Sequence, residues 1–193
     1  YVATPHPFHM ENTLLALKAG KHVLCTKPVA MNASQFKRMI RAARDRRLFL
    51  MEGMWTRFFP AVQQVRRWLA DKQIGNILAL EADYGFHFKV GPKHRIHNPE
   101  LGGGALLDLG IYVVSLASMV YGIQPKKITS VVHISQTRVD DQSTLVFEYL
   151  HGATATLLSG SRVYIRPEAR IYGTKGRIII HENFYRPNRV TLD

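Results

Sequence analysis

His22 to Pro28 reads HVLCTKP. Val23, Leu24 and Cys25 form a short apolar run closed by polar residues and a proline, which predicts a buried strand. Pro28 disfavours helical backbone in the residue before it, so Lys27 should project from the strand end. Upstream, Tyr1 to Ala3 reads as the end of another apolar strand and runs into Thr4-Pro5-His6-Pro7-Phe8-His9. A helix through Leu14, Leu15 and Leu17 follows and stops at Gly20, since glycine takes the left-handed conformation that ends helices. Downstream, a second helix opens at Asn32 or Ser34, both N-cap types, and Leu48 to Met51 is a third apolar strand. Strand, helix, strand, helix, strand at this spacing predicts a parallel α/β sheet. Ligands of such sheets sit at the carboxyl ends of the strands. Those ends are Thr4 to His9, Thr26 to Pro28, and Glu52 onward.

Beyond Glu52 the pattern changes. Gly53 to Pro60 (GMWTRFFP) is an aromatic connector, and Phe58, Val62, Val65 and Leu69 give a helical stripe ending near Gly75. Leu78 to Phe88 alternates apolar and polar residues as a strand with one polar face does, and Val90 to Leu101 is a polar loop. Gly102 to Tyr112 reads GGGALLDLGIY and opens a helix that ends near Gly122. On an α-helix, Asp108 and Tyr112 share a face, with Ser115 a turn later. They are either satisfied core groups or part of a site.

The remainder is strand-rich: Ile128 to Thr137, Ser143 to Tyr149, Ala153 to Tyr164, Ala169 to Tyr172 and Arg177 to His181. Turns are expected at Asp140-Asp141, His151-Gly152 and Thr174-Lys175-Gly176, which predicts an antiparallel meander. The fold class is therefore α/β plus α+β. Residues 1–52 read as the tail of a parallel α/β domain, and residues 53–193 as an α+β domain built on a largely antiparallel sheet.

Composition bounds the function. Hydrophobic residues make up 46% of the 193, enough for a sizeable core. The net charge of +12 admits a polyanion partner. Yet Phe36, Met39, Ile40 and Ala43 form an apolar stripe, and most of Lys37, Arg38, Arg41, Arg44, Arg46 and Arg47 point away from it. That is the pattern of a solvated helix face. No nucleic-acid motif accompanies it, and no uninterrupted apolar run reaches the roughly 18 residues of a membrane span. Neither partner is expected. The single cysteine, Cys25, excludes a disulfide framework and fits a reducing, cytoplasmic setting. The chain begins and ends on strand-like sequence, YVAT and VTLD, so it is expected to be part of a longer one.

Lys27 at a strand end could hold a phosphate, a hydroxyl or a carboxylate. A partly desolvated ammonium beside Tyr112 should lower the phenol's proton affinity and make it a usable acid or base. His6 and His9 could both face a ligand, but a metal needs a third protein ligand and none is at suitable spacing. Trp55, Phe58 and Phe59 either wall an apolar pocket or belong to a core. No GxGxxG phosphate loop is present.

The stretches ATPHPFH, TKP, GMWTRFFP and GGGALLDLGIY together resemble the Gfo/Idh/MocA oxidoreductases, and within them the branch of dimeric dehydrogenases acting on trans-dihydrodiols and D-xylose-type sugars. The resemblance covers essentially the whole chain. It implies that residues 1–52 are the C-terminal part of an NADP-binding Rossmann-type domain and that residues 53–193 are a substrate-binding and dimerisation domain with a large, mainly antiparallel open sheet. It also implies hydride transfer between NADP and a secondary alcohol, and a homodimer formed through that sheet. The family's EKP lysine falls on Lys27, its helix tyrosine on Tyr112 and its GGxLLDxGxY aspartate on Asp108, which makes these the implied catalytic residues. Thr4, Pro5, His6, His9, Lys27 and Pro28 fall on the cofactor side, and Trp55, Arg57 and Phe86 on the substrate side. The family's glutamate before the lysine is Thr26 here. The dinucleotide-phosphate turn is not among these residues, so the chain as it stands is not expected to hold NADP tightly. The alternatives are a catalytically impaired relative that serves association and another sugar dehydrogenase of the same family.

Overall fold

The computed structural model describes residues 1–193. Its first layer follows the expected parallel pattern. Val2 bridges Cys25 in parallel, and β1 (Val23–Thr26) pairs in parallel with β2 (Leu50–Gly53). The helices α1 (His9–Lys18) and α2 (Ala33–Asp45) pack against them. Asn32 caps α2 by accepting from the Gln35 N–H at 2.9 Å, which satisfies one of the free donors of the first turn. Leu17, Val23, Cys25, Met39 and Ala43 form the small core beneath. The cations of α2 are exposed, as its apolar stripe requires.

After the turn Trp55–Phe58 and α3 (Pro60–Ala70), β3 (Ile77–Gly85) enters a seven-stranded sheet. The other strands are β4 (Lys127–Ile134), β5 (Asp140–Glu148), β6 (Thr154–Gly160), β7 (Ala169–Gly173), β8 (Arg177–Ile180) and β9 (Val190–Leu192). The order is β4-β5-β6-β3-β7-β8-β9. The sheet is mainly antiparallel but not a simple meander, because β3 inserts between β6 and β7 and runs parallel to β6. The Asp140-Asp141 turn is also corrected. Both residues belong to β5, and the connection lies earlier, where Ser135 N–H bonds the Val139 carbonyl.

The helix α4 (Ile111–Tyr121) lies on one face of this sheet and buries Val113, Leu116, Ala117 and Val120 against Leu80, Ala82, Ala155 and Leu157. By length and composition, the broken helical stretch Pro99–Tyr121 could cross a membrane. In this fold it is a core element that carries a buried carboxylate. Only its last part is α-helical. Leu106–Gly110 forms a wider π-helical turn, a local distortion found often at functional sites. Gly110 lets that turn approach β6: a Cβ there would lie 2.8 Å from the Ser159 hydroxyl oxygen.

The glycine triplet has a defined task. Gly102 and Gly104 have φ of +69° and +123°, a region that side chains disfavour. At Gly103 a Cβ would lie 2.8 Å from the carbonyl oxygens of Arg95, Ile96 and Asn98. Gly103→Ala should therefore cost about 2 kcal/mol through overpacking against a backbone that cannot give way. Gly122→Ala, strained only by a φ of +68° with open space around it, should cost about 1 kcal/mol. Urea denaturation of the two variants checks the order, and equal midpoints would contradict it.

Candidate active site

The carboxyl ends of the parallel strands face the start of the α4 segment. Between them lies a polar cleft of about 310 Å³, lined by Ala3, Thr4, Pro5, His6, Thr26, Lys27, Arg95, Leu101 and Asp108. Lys27 crosses from one layer to the other. Its Nζ donates to the Asp108 carbonyl oxygen at 2.6 Å and to Oδ1 at 3.0 Å. Arg95 Nη2 donates to Oδ2 of the same carboxylate at 3.1 Å. Burial pushes the Asp108 carboxyl up, but Lys27 and Arg95 together outweigh it and hold the group below the usual aspartate range. Burial lowers the proton affinity of Lys27, and the negative charge of Asp108 offsets only part of that effect.

Tyr112 does not line the cleft. It is buried beneath Lys27, whose Nζ lies 4.8 Å from the centre of its ring. Its hydroxyl accepts from Trp55 Nε1 at 2.9 Å. The ammonium therefore meets the face of the ring and not the phenolic oxygen. The expected lowering of the phenol is corrected: burial pushes Tyr112 above its ordinary value, against the bond from Trp55. Tyr84 and Tyr185 complete an aromatic box around it, with ring centres 5.6 and 5.8 Å away.

The other named residues divide. Thr4, Pro5 and His6 line the cleft as expected. His6 donates from Nδ1 to the Gly102 carbonyl at 2.9 Å, and burial lowers its proton affinity. His9 does not reach the cleft. It is fully buried, with Nδ1 at 2.7 Å from the Pro28 carbonyl oxygen and Nε2 at 2.7 Å from that of Thr4. It braces the two turns that carry Thr4 and Lys27, so its place on the cofactor side is indirect. Pro28 likewise supports the turn without lining the cleft. Trp55 borders a neighbouring depression with Tyr1, Leu24, Thr26 and Gly53. Arg57 is turned away: its Nε and Nη2 donate to Ser115 Oγ and O at 3.2 and 3.1 Å, so it anchors α4. Phe86 is half exposed and packs on Phe88, lining neither depression.

Two residues escaped the sequence reading. Arg95 lay in a loop without periodicity. Its only signal was a cation just ahead of the glycine triplet. Asp140 accepts the Leu106 N–H at 2.6 Å and so caps the helical segment carrying Asp108. Its signal was the alternation of β5, masked by polar residues at buried positions such as Asp141 and Ser143.

The residues present fit the nicotinamide end of a dinucleotide. Polar groups and main chain from two strand ends converge on one open cleft, and Lys27 and Asp108 form its inner wall. Residues 62–179 match the GFO/IDH/MocA C-terminal domain, and residues 1–54 match an oxidoreductase family with an NAD-binding Rossmann fold. The chain belongs to the Gfo/Idh/MocA family. A trans-1,2-dihydrobenzene-1,2-diol dehydrogenase of Xenopus tropicalis is 38% identical over 194 residues, with 100% of this chain and 58% of that protein covered. The chain thus spans little more than half the length of this relative. An aldose-aldose oxidoreductase from Caulobacter crescentus, complexed with glycerol, superposes with a TM-score of 0.88 at 32% identity, covering 94% of this chain and 55% of that one. KijD10, a 3-ketoreductase from Actinomadura kijaniata in complex with NADP and TDP-benzene, gives 0.87 at 27% identity, covering 100% and 63%.

Asp108→Asn should destabilise the fold by about 3 kcal/mol at neutral pH, because it leaves the buried Lys27 ammonium without its counter-charge. A carboxyl whose folded-state value is depressed stabilises the fold above its unfolded value and loses that contribution as pH falls through the folded one. The gap between wild type and variant should therefore be full above pH 3.8, the ordinary aspartate value, and close below it. Urea midpoints measured across pH check this, and a gap that persists undiminished in acid would contradict it.

Proposed function

We propose that the intact protein transfers a hydride between NADP and a secondary alcohol carbon of a trans-dihydrodiol or a D-xylose-type sugar. The observation that carries this reading is the placing of Lys27. Its ammonium is held by Asp108 at a strand end of a Rossmann-type sheet, directly over Tyr112. The diol dehydrogenase and sugar oxidoreductase relatives support the substrate class, and the NADP complex of the ketoreductase supports the cofactor.

Bound NADP supplies a carbon that accepts or returns the hydride. Thr4, Pro5, His6 and Thr26 hold its nicotinamide end. Lys27 has three N–H donors; two are taken by Asp108, and the third meets the substrate oxygen. Tyr112 accepts a bond from Trp55 and keeps its own O–H to donate. In the reducing direction the carbonyl oxygen gains its proton from this pair as the carbon gains hydride. In the oxidising direction the group of this pair that is deprotonated takes the proton from the alcohol. Trp55 is the aromatic wall on the substrate side, and Arg57 supports it by fixing the connector to α4. A homodimer through the open sheet fits β4, where Ile128, Val131, Val132 and Ile134 are exposed.

Tyr112→Phe and Lys27→Met in the intact chain should each lower kcat for diol or sugar oxidation by about 10²–10⁴-fold, the range of a positioned proton-transfer group. NADP binding, followed by fluorescence of the reduced form, should survive Tyr112→Phe. Turnover that survives both changes removes the assignment. A wild-type protein that neither binds NADPH nor turns over any such substrate leaves the association module as the better reading.

A further inference from the structure

The carboxylate of Asp108 is held from both sides, and only one of its cations has been given a task. Lys27 takes Oδ1 and Arg95 takes Oδ2. A carboxylate with one partner can pivot about its Cβ–Cγ bond. A second charged donor on the far oxygen fixes its plane. We propose that Arg95 is a positioning residue for Lys27: it clamps Asp108 so that the ammonium keeps one N–H aimed into the cleft. This rests on the reading of Lys27 as the group that meets the substrate oxygen.

Three features separate Arg95 from an ordinary surface arginine. Its partner is buried, with 7% of the Asp108 side chain exposed against 48% for Arg95, so the pair forms where water competes for only one of its members. Its backbone is locked to the turn that launches Asp108. Ile96, next in sequence, is 1% exposed, its carbonyl accepts the Gly104 N–H at 2.9 Å, and the Asn98 carbonyl accepts that of Gly103 at 2.9 Å. Arg95 and Asp108 therefore belong to one body, while Lys27 arrives from the other layer. Finally, Arg95 lines the same cleft as Lys27 and His6, so its charge is felt there.

The groups facing Lys27 are Asp108 and Arg95 from the large-sheet side, His6 and Glu52 from the parallel-strand side, and the ring of Tyr112 below. Asp108 and Glu52 favour its charged form. Arg95 opposes it by repulsion, in the same direction as burial. Removing the guanidinium should have two effects. Lys27 should hold its proton to higher pH, and its ammonium should lose its fixed aim.

The test is made on the intact protein with Arg95→Met and Arg95→Lys. The first readout is the pH dependence of Lys27 acetylation by acetic anhydride, followed by mass spectrometry of its peptide, which needs no turnover. Arg95→Met should move the onset of labelling to higher pH and lower kcat about 10²-fold, the cost of a small misplacement at a reacting centre. Arg95→Lys keeps the charge, so its labelling onset should stay near that of wild type. An unmoved onset in Arg95→Met overturns the proposal. So does an onset displaced equally in both variants, which would mean damage to the loop and not loss of the charge. If Arg95→Met does not fold, Arg95→Gln removes the charge but keeps an uncharged donor to Asp108, so its labelling onset should move as for Arg95→Met while its kcat falls less. A shifted onset with kcat unchanged overturns the clamp, whereas a wild-type protein with no dehydrogenase activity sinks the proposed function instead, so the two failures are distinct.

Discussion

Asp108 joins the two layers of this protein. Lys27, from the parallel strands, donates to both the carboxylate and the main-chain carbonyl of Asp108, and Arg95, from the loop, donates to the carboxylate. A lone buried carboxylate is costly enough that it would take up a proton. Here two cations outweigh the desolvation, and the group stays ionised. Such a network is weak evidence for stability, since burying its members costs about what their attraction returns. What it does is fix relative position. The strand end and the start of the α4 segment can close on each other only where all three charges meet, and that place is the floor of the cleft.

The surrounding sequence serves this contact. The glycine triplet lets the chain turn against the Arg95–Asn98 carbonyls, where any side chain would intrude. Asp140, at the start of β5, takes up the Leu106 N–H and caps the segment that delivers Asp108. His9 ties the Thr4 turn to the Lys27-Pro28 turn through both ring nitrogens. None of these three touches the proposed substrate position, yet each decides where a residue that does touch it will stand.

Most of the fold is legible in the chain because its signals are local. Alternating and helical periods place nearly every strand and helix, and polar strand ends point to Thr4, His6 and Lys27 before any contact is known. The losses are non-local. Parallel pairing of β3 with β6 joins Ala79 to Thr154, and nothing in either strand states its partner. Asp140 and Asp141 look like a turn because two adjacent carboxylates usually are one; only the backbone N–H of Leu106 and the ring of His133 explain them inside a strand. Arg57 and Arg95 show the same limit in the site itself. Both are cations beside motifs, and only in the folded chain does one brace a helix while the other reaches the carboxylate.

Burial acts on the two central proton-bearing groups in opposite senses, and this constrains the proposed chemistry. A phenol in an aromatic box resists losing its proton, so Tyr112 is pushed up, while an ammonium removed from water resists keeping one, so Lys27 is pushed down. From ordinary values of 10.0 and 10.5 the two groups are moved in opposite directions. Where neighbouring titratable groups are driven apart in this way, their roles follow from the direction of the shifts. Tyr112 is the weaker acid of the two and keeps its O–H. In the proposed reaction Lys27 gives up its proton the more readily to an oxygen becoming an alkoxide and, once neutral, takes one back from an alcohol in the reverse direction. The sequence expectation had placed that second task on a tyrosine activated by the lysine. With the ammonium over the ring face, the hydroxyl bonded by Trp55 and burial raising the phenol, the proposed reaction gives that task to Lys27.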